Sequence, residues 1–266
     1  MLKWIARNKY KLMISIVGLY LVADGWQHRG IVRALLPKTF PAHETKTLEP
    51  ANKNELINTG KEWVQAVNSK ERFDKLSAAA PGLECDVYFD TQKKIFDVHH
   101  DPDNSTGFAL ETLLQLYADK KLTASVWLDF KNLDKDNQQP ALTELIRIRH
   151  KFGLTNKLLV ESTQADLLSV YSDSGFYTSY YTPVFNPYLM GNQDLKYLAD
   201  SLAEIIHHSK VDALSGYYFQ YSFLHKYFPK FPVLTWAAND RYSLLNWLFK
   251  KKIAAADEVF IVLYPQ

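Results

Sequence analysis

Short apolar runs alternate with helix-period segments from about residue 60 to the end of the chain. The runs carry the β-branched and aromatic residues that strands favour, and polar or helical stretches separate them. They predict eight strands, in chain order 63–67, 83–89, 125–130, 158–161, 176–181, 211–214, 232–236 and 259–263. A further run at 94–99 predicts a short hairpin partner for the second strand.

Eight strands that alternate with helices predict an α/β fold of the (β/α)₈, TIM-barrel-like type. An open, doubly wound sheet is the alternative arrangement for the same pattern. No G-x-G-x-x-G turn follows a predicted strand, which argues against the dinucleotide-binding form of that alternative.

The first 26 residues have a different pattern, in which basic residues precede an uncharged apolar run at 12–23 that ends at Asp24. The basic residues are Lys3, Arg7, Lys9 and Lys11. Such a pattern is typical of a signal sequence or signal anchor. The run is shorter than the roughly 20 residues of a full span, although Trp4 and Trp26 extend it as interface aromatics. Leu21 occupies the −3 position of the candidate cleavage site, which favours an uncleaved anchor.

These features predict a signal anchor or signal sequence at 1–26, a proline-containing linker at 27–59 and one barrel domain at 60–266. Because the basic residues precede the apolar run, the barrel is expected on the non-cytoplasmic side of a membrane, periplasmic or extracellular. The alternative is that this segment forms the buried first helix of a soluble domain.

The composition narrows the class of protein. Hydrophobic residues make up 47% of the 266 residues, which is enough for a sizeable core. The formal net charge is only +2, so a nucleic-acid partner is not expected. The single cysteine, Cys85, rules out an intramolecular disulfide.

Charged residues recur with a period of two at the ends of two predicted strands. Glu84 and Asp86 lie on one face of the second strand, where two carboxylates repel each other and are costly to desolvate. A hard divalent cation such as Mg²⁺ or Ca²⁺ would offset both costs, and a solvated pair on an edge strand is the alternative. Asp129 and Lys131 share a face of the third strand, either as part of a metal and anion site or as a surface ion pair.

A histidine pair follows the hairpin strand in the segment 96–102. His100, followed by Asp101 and Pro102, is placed to act as a general acid or base. His99 shares a strand face with Asp97, and the pattern leaves open which of the two histidines faces the site.

Weaker candidates end later strands. Glu161 ends the fourth strand and Trp236 the seventh, where the indole could wall a pocket. Tyr181 and Asn186 follow the fifth strand. His207 and His208 lie on a predicted helix without a partner at metal-ligand spacing, so they are interpreted as surface residues.

These motifs resemble the phospholipase C-like phosphodiesterase superfamily of barrels, and most of all its glycerophosphodiester phosphodiesterase-like and menorin-like domains. The family signature is a first-strand His, then Glu-x-Asp, a His-Asp or His-Pro step, and an acid-x-Lys. Three segments match it in order and spacing, namely Glu84-Cys85-Asp86, His100-Asp101 and Asp129-Phe130-Lys131. The resemblance runs from about residue 63 to the end and is more specific before residue 162 than after it.

The resemblance implies that Glu84, Asp86 and Asp129 bind Mg²⁺ or Ca²⁺. It further implies that Lys131 holds a phosphate group and that His100 protonates the leaving oxygen. His99, Glu161 and Trp236 would then contribute to substrate binding.

The chain departs from the family at the first strand. The expected His falls on Gln65, and Ala66 stands where Arg usually follows. Gln cannot act as a nucleophile or general base at neutral pH. His28-Arg29-Gly30 spells the family's first-strand motif, but it lies beside the apolar segment, well before the first strand, and is interpreted as a coincidence.

Two functional hypotheses follow. The first is a membrane-anchored, metal-dependent hydrolase of a small-molecule or lipid phosphodiester, similar to glycerophosphodiesterases. The second is a catalytically weakened barrel that binds a phosphorylated or lipid ligand, or a protein partner.

Overall fold

The structure is a computed structural model that describes residues 2–36, 38–51 and 54–266, with side chains from residue 9 onward. Pro37, Asn52 and Lys53, which belong to the predicted linker, lie outside the described residues. The side chains of Lys3, Trp4 and Arg7 also lie outside them.

Eight parallel strands form a closed barrel. They are β1 (Glu62–Val64), β2 (Gly82–Asp90), β4 (Ser125–Phe130), β5 (Leu158–Ser162), β6 (Tyr177–Tyr181), β7 (Ala213–Tyr217), β8 (Val233–Trp236) and β9 (Val259–Tyr264). Each strand pairs with the next in this order. β1 pairs with both β2 and β9, and this closes the ring. The closure confirms the predicted barrel and excludes the open sheet. The predicted hairpin partner is β3 (Ile95–Val98), antiparallel to β2.

Helices connect the strands and cover the outside of the barrel. The helices within the described residues are α1 (Leu2–Gln27), α2 (Arg29–Leu35), α3 (Lys70–Asp74), α4 (Leu110–Asp119), α5 (Gln138–Phe152), α6 (Ser169–Asp173), α7 (Asn192–His208), α8 (Tyr221–Tyr227) and α9 (Leu244–Ala254).

Side chains alternate across each strand, so one set fills the barrel and the other packs under the helices. Leu83, Cys85 and Val87 belong to the large buried cluster shared with the helices. Trp63 and Trp127 belong to a separate cluster inside the barrel. The Trp63 ring lies where a Cβ at position 82 would be, about 2.0 Å from its nearest atom. Gly82 therefore makes room for the indole that fills the barrel interior beneath the site.

The prediction of a membrane-spanning anchor at 1–26 is not supported. The segment is helical, but no helix in the described part of the chain is both long and apolar enough to cross a membrane. As a helix, the uncharged run 12–23 would measure roughly 18 Å, against roughly 30 Å of hydrocarbon in a bilayer. The predicted periplasmic or extracellular location depended on that anchor and stays a prediction.

The residues that follow α1 pack against the barrel domain. Ile31, Ala34 and Phe40 are buried in the large hydrophobic cluster, although they lie in the predicted linker. The Lys252 ammonium of α9 donates to the Ala34 carbonyl at 2.8 Å. The segment after α1 therefore contributes to the same core as the barrel.

Candidate metal-binding active site

Three carboxylates converge inside the barrel at the carboxyl ends of the strands. Glu84, Asp86 and Asp129 each place one oxygen so that all three lie within 4.8 Å of one another. The strand register produces this convergence, because Asp86 and Asp129 are direct partners across the β2–β4 pair. Glu84 lies two positions before Asp86 on the same strand, so both side chains point into the barrel. The three side chains form an all-oxygen set of the kind that Mg²⁺ and Ca²⁺ prefer.

The Lys131 ammonium contacts two of these carboxylates. It lies 2.8 Å from Asp86 Oδ1 and donates a short hydrogen bond to Asp129 Oδ2. Asp129 and Lys131 therefore share one face as predicted, but inside the pocket rather than as a surface ion pair. Burial alone would lower the pKa of Lys131, but Asp129 and Asp86 outweigh it and raise the pKa well above its usual range. Lys131 is a permanent cation at neutral pH.

The turn that follows β1 holds the two β2 carboxylates. Ala66 adopts a left-handed backbone with φ of 55°, and its N–H donates to Glu84 Oε2 at 2.6 Å. The Asn68 amide contacts Asp86 twice, accepting from its backbone N–H at 3.0 Å and donating to its carboxylate at 2.5 Å. The Arg72 guanidinium donates to the Ala66 carbonyl at 2.8 Å. The turn thus fixes the orientation of both carboxylates.

Replacing Asn68 with Ala is expected to weaken Mg²⁺ or Ca²⁺ binding about 10- to 100-fold, because Asp86 loses its orienting partner. Isothermal titration calorimetry with each metal would measure the change. Asn192→Ala, at an exposed position on α7, is the matched control and should bind metal like the wild type. Equal affinities for the two variants would contradict the positioning role of Asn68.

Burial and mutual repulsion make the carboxylates hard to ionise without a cation. Burial, followed by the charges of Asp86 and Asp129, raises the pKa of Glu84 well above its usual range. Burial also raises the pKa of Asp129, although Lys131 opposes the shift. One lysine cannot neutralise this group of acids, so a divalent cation fits the donor set.

A fourth carboxylate belongs to the same interior layer. Glu161 is the strand partner of Asp129 across the β4–β5 pair and is 1% exposed. Among the described residues its Oε2 atom has no hydrogen-bond partner. Burial, with the nearby charge of Asp129, raises the pKa of Glu161 well above its usual range. Glu161 adds to the acidic excess that a cation would relieve.

An aromatic wall closes the opposite side of the pocket. Trp236 at the end of β8 packs edge-on against Tyr181, with ring centroids 5.1 Å apart, and against Tyr217 at 4.8 Å. All three line the same cavity as the carboxylates. The pocket therefore has a carboxyl-rich side that suits a metal ion and an apolar side that suits an organic group.

The two histidines of the hairpin segment point in different directions. His100 lines the pocket, and its side chain is 71% exposed with Nδ1 2.9 Å from Asp101 Oδ1. His99 is buried outside the pocket, stacks on Tyr88 at 4.3 Å, and contacts the Asp101 carbonyl through Nδ1 at 2.8 Å. The structure thus places His100, and not His99, at the site.

Gln65 lines the pocket beside Glu84 and His100, so the predicted first-strand position does face the site. Among the weaker candidates, Glu161, Trp236 and Tyr181 also line it. The Asn186 side chain instead accepts from the Tyr188 N–H in a turn. His207 and His208 are exposed on α7, as expected for surface residues.

Three residues shape the site in ways that the sequence pattern does not indicate. Tyr217 lies at the end of β7, beyond the predicted strand 211–214. Ala66 and Asn68 act through a turn whose left-handed backbone no local pattern indicates. A period-two extension of the sixth predicted strand through Ser215 would have brought Tyr217 to the interior face.

Comparisons with known proteins support the fold. No family model and no curated protein match the sequence. A glycerophosphodiester phosphodiesterase from Parabacteroides distasonis is structurally similar, with a TM-score of 0.51 and 15% identity over 77% of this chain and 94% of that one. A putative glycerophosphoryl diester phosphodiesterase from Silicibacter pomeroyi is also similar, with a TM-score of 0.53 and 12% identity over 79% of this chain and 92% of that one.

A phosphodiesterase from Oleispira antarctica, solved with the product sn-glycerol-3-phosphate, gives a TM-score of 0.51 and 11% identity over 77% of this chain and 92% of that one. The chain is therefore a barrel structurally similar to glycerophosphodiester phosphodiesterases, which confirms the predicted resemblance at the level of the fold. At these identities the likeness carries no residue roles by itself.

Proposed function

We propose that this protein is a metal-dependent phosphodiester hydrolase that acts on a glycerophosphodiester or a related lipid phosphodiester. The observation that carries the proposal is the convergence of three carboxylates, Lys131 and His100 in one pocket of a barrel of this fold. The bound product of the Oleispira protein, a glycerol phosphate, suggests the substrate class.

A cation would favour the binding of a phosphate in this pocket. Glu84, Asp86, Asp129 and Glu161 supply four carboxyl groups and Lys131 one ammonium, so the carboxyl groups that ionise without a metal would repel an anion. Glu84, Asp86 and Asp129 would hold Mg²⁺ or Ca²⁺. When bound, such an ion neutralises charge on the phosphate oxygens and stabilises the charge that develops during hydrolysis.

Other residues of the pocket would bind the phosphate, donate a proton and contact the alcohol portion of the substrate. Lys131 offers a permanent positive charge to a phosphate oxygen beside Asp86 and Asp129. His100, exposed at the pocket edge, can give a proton to the leaving alcohol oxygen. Tyr181, Tyr217 and Trp236 form an apolar surface for the alcohol portion of the substrate.

Replacing His100 with Ala is expected to lower kcat about 100-fold, because the leaving oxygen loses its proton donor. Metal affinity should not change, since His100 is not one of the clustered carboxylates. The measurement is turnover of glycerophosphodiesters with saturating Mg²⁺ or Ca²⁺, alongside calorimetry of metal binding. His207→Ala, on the exposed face of α7, is the matched control. Absence of metal-dependent turnover in the wild type, or full activity of the His100 variant, would contradict the proposal.

A second candidate function is ligand binding without turnover, and Gln65 is the observation that favours it. The first-strand position lines the pocket but carries a side chain that cannot exchange protons at neutral pH. In that case glycerol phosphate would bind only with metal, Glu84→Gln would abolish its binding, and no phosphodiester would be cleaved. Calorimetry and product analysis on the same preparation would separate the two functions.

A further inference from the structure

The helix α1 exposes an unusual amount of apolar surface. Large hydrophobic side chains on all of its sides are between 42% and 78% exposed, namely Tyr10, Leu12, Met13, Ile14, Ile16, Val17, Leu19, Tyr20, Leu21, Val22 and Trp26. Scattered exposed apolar residues are ordinary, but a contiguous set of this size on a single helix marks an interaction surface.

The helix is attached to the barrel at a defined place. The Tyr20 hydroxyl donates to the Tyr242 carbonyl at 2.7 Å and accepts from the Leu244 N–H at 3.0 Å. The Asp24 carboxylate accepts from the Leu245 N–H at 3.1 Å. Both side chains thereby satisfy backbone N–H groups at the first turn of α9, which an isolated helix leaves unpaired.

The attachment lies at the end of the barrel where the pocket opens. The loop 237–243 follows β8, whose last residue, Trp236, lines the pocket. His28 reaches this loop, with its ring 3.0 Å from Asp24 and 3.4 Å from Asp240. The C-terminal part of the apolar helix therefore lies at the rim of the candidate active site.

The apolar surface continues from α1 onto α9 and the loop before it. Tyr242, Leu244, Trp247 and Leu248 are 79%, 42%, 54% and 41% exposed. Tyr242 and Leu244 are the residues that Tyr20 contacts, so the two exposed sets adjoin. We call the exposed apolar side chains of α1 and these four residues the rim surface.

Basic residues outnumber acidic ones around the rim surface, where Asp240 is a partly exposed acid. Residues 1–36 contain six basic residues and a single acidic residue, Asp24. Asp24 is 6% exposed and engaged with α9, so it contributes little negative charge to the surface. Lys9 and Lys11 precede the apolar run, and Lys251 lies beside Trp247. Apolar and aromatic residues with a basic border complement an anionic lipid surface.

We propose that the rim surface binds the face of an anionic phospholipid membrane, with the apolar run of α1 inserted among the lipids of one leaflet rather than crossing the bilayer. The charge pattern favours lipid over a second copy of the chain, because two copies would bring like charges together. Binding at the rim would place the pocket beside lipid headgroups. This last consequence rests on the proposed function, whereas membrane binding itself does not.

The test is flotation of the purified full chain with phosphatidylcholine vesicles, with and without phosphatidylglycerol. The expected result is co-flotation that depends on phosphatidylglycerol and decreases with added salt. The double variant Ile16→Glu/Leu19→Glu should reduce partitioning at least about tenfold. Tyr197→Glu/Ile205→Glu, at exposed apolar positions of α7, is the matched control and should partition like the wild type.

Three outcomes would overturn the proposal. They are absence of flotation, equal loss in both double variants, and a dimer in sedimentation that the α1 variant dissociates while no lipid binds. Turnover of a water-soluble glycerophosphodiester should be the same in all variants. Flotation without any turnover would count against the proposed activity and leave the lipid-binding surface supported.

Discussion

Replacing Glu84 with Gln is expected to weaken Mg²⁺ or Ca²⁺ binding by about 100-fold or more and to abolish metal-dependent turnover. One of three converging carboxylates loses its charge, while the amide oxygen can still accept the Ala66 N–H that Glu84 accepts now. The change is therefore electrostatic and leaves the turn after β1 in place. Calorimetric titration and the thermal shift caused by metal would both measure it.

The same substitution is expected to stabilise the metal-free protein at neutral pH by about 1 kcal/mol or more. Burial and the neighbouring charges of Asp86 and Asp129 raise the pKa of Glu84 in the folded state. The folded protein then holds this proton more tightly than the unfolded chain, so the free energy of unfolding falls as pH rises above the unfolded value of about 4.5. The amide of the Glu84→Gln variant does not titrate, so this variant does not lose this free energy of unfolding as the pH rises.

Urea unfolding in the presence of a chelator, at about pH 5 and at about pH 8, tests whether the free energy of unfolding falls with rising pH as expected. The metal-free wild type should lose more stability between the two values than Glu84→Gln does. A metal concentration that just saturates the wild type should protect the wild type more than Glu84→Gln, because the cation binds the ionised carboxylates. Glu55→Gln, at an exposed position, is the control. Identical pH slopes for the wild type and the Glu84 variant would show that this carboxyl is not under electrostatic strain.

The sequence predicts the fold and the carboxylate pairs because both depend on short periodicities. Strand alternation puts Glu84 and Asp86 on one face without any knowledge of the tertiary structure. Their proximity to Asp129 depends in addition on the closed parallel barrel and on the register between β2 and β4. The barrel rule that side chains at the carboxyl ends of strands converge supplied that step.

The parts that could not be predicted depend on contacts between distant segments or on backbone geometry. Asn68 is important because it meets Asp86, eighteen positions later, and no local pattern signals that pairing. The prediction that the N-terminal segment spans a membrane is not supported, for a related reason. An apolar run bordered by basic residues has the same local signature whether it spans a bilayer or attaches to a rim through Tyr20 and Asp24.

Replacing Gln65 with His is expected to raise kcat by about two orders of magnitude or more, the usual contribution of a positioned general acid–base residue. Gln65 lines the pocket with Glu84 and His100, and its backbone N–H donates to the Tyr264 carbonyl at 3.0 Å. A side-chain change leaves that backbone bond in place. Unlike Gln, an imidazole with a pKa near 6.5 exchanges protons at neutral pH.

The measurement is kcat and kcat/KM for a glycerophosphodiester, with saturating Mg²⁺ or Ca²⁺, as a function of pH. The variant should gain a titrating limb near about pH 6.5 that the wild type lacks. Gln65→Asn is the matched control, because it changes the size of the side chain without adding a proton acceptor, and it should show no gain. If the His variant binds metal and glycerol phosphate normally yet gains no turnover, position 65 is not where the catalytic partner of His100 was lost. In that case the pocket is better described as a binding site, since the metal ligands, Lys131 and His100 would all be in place without chemistry.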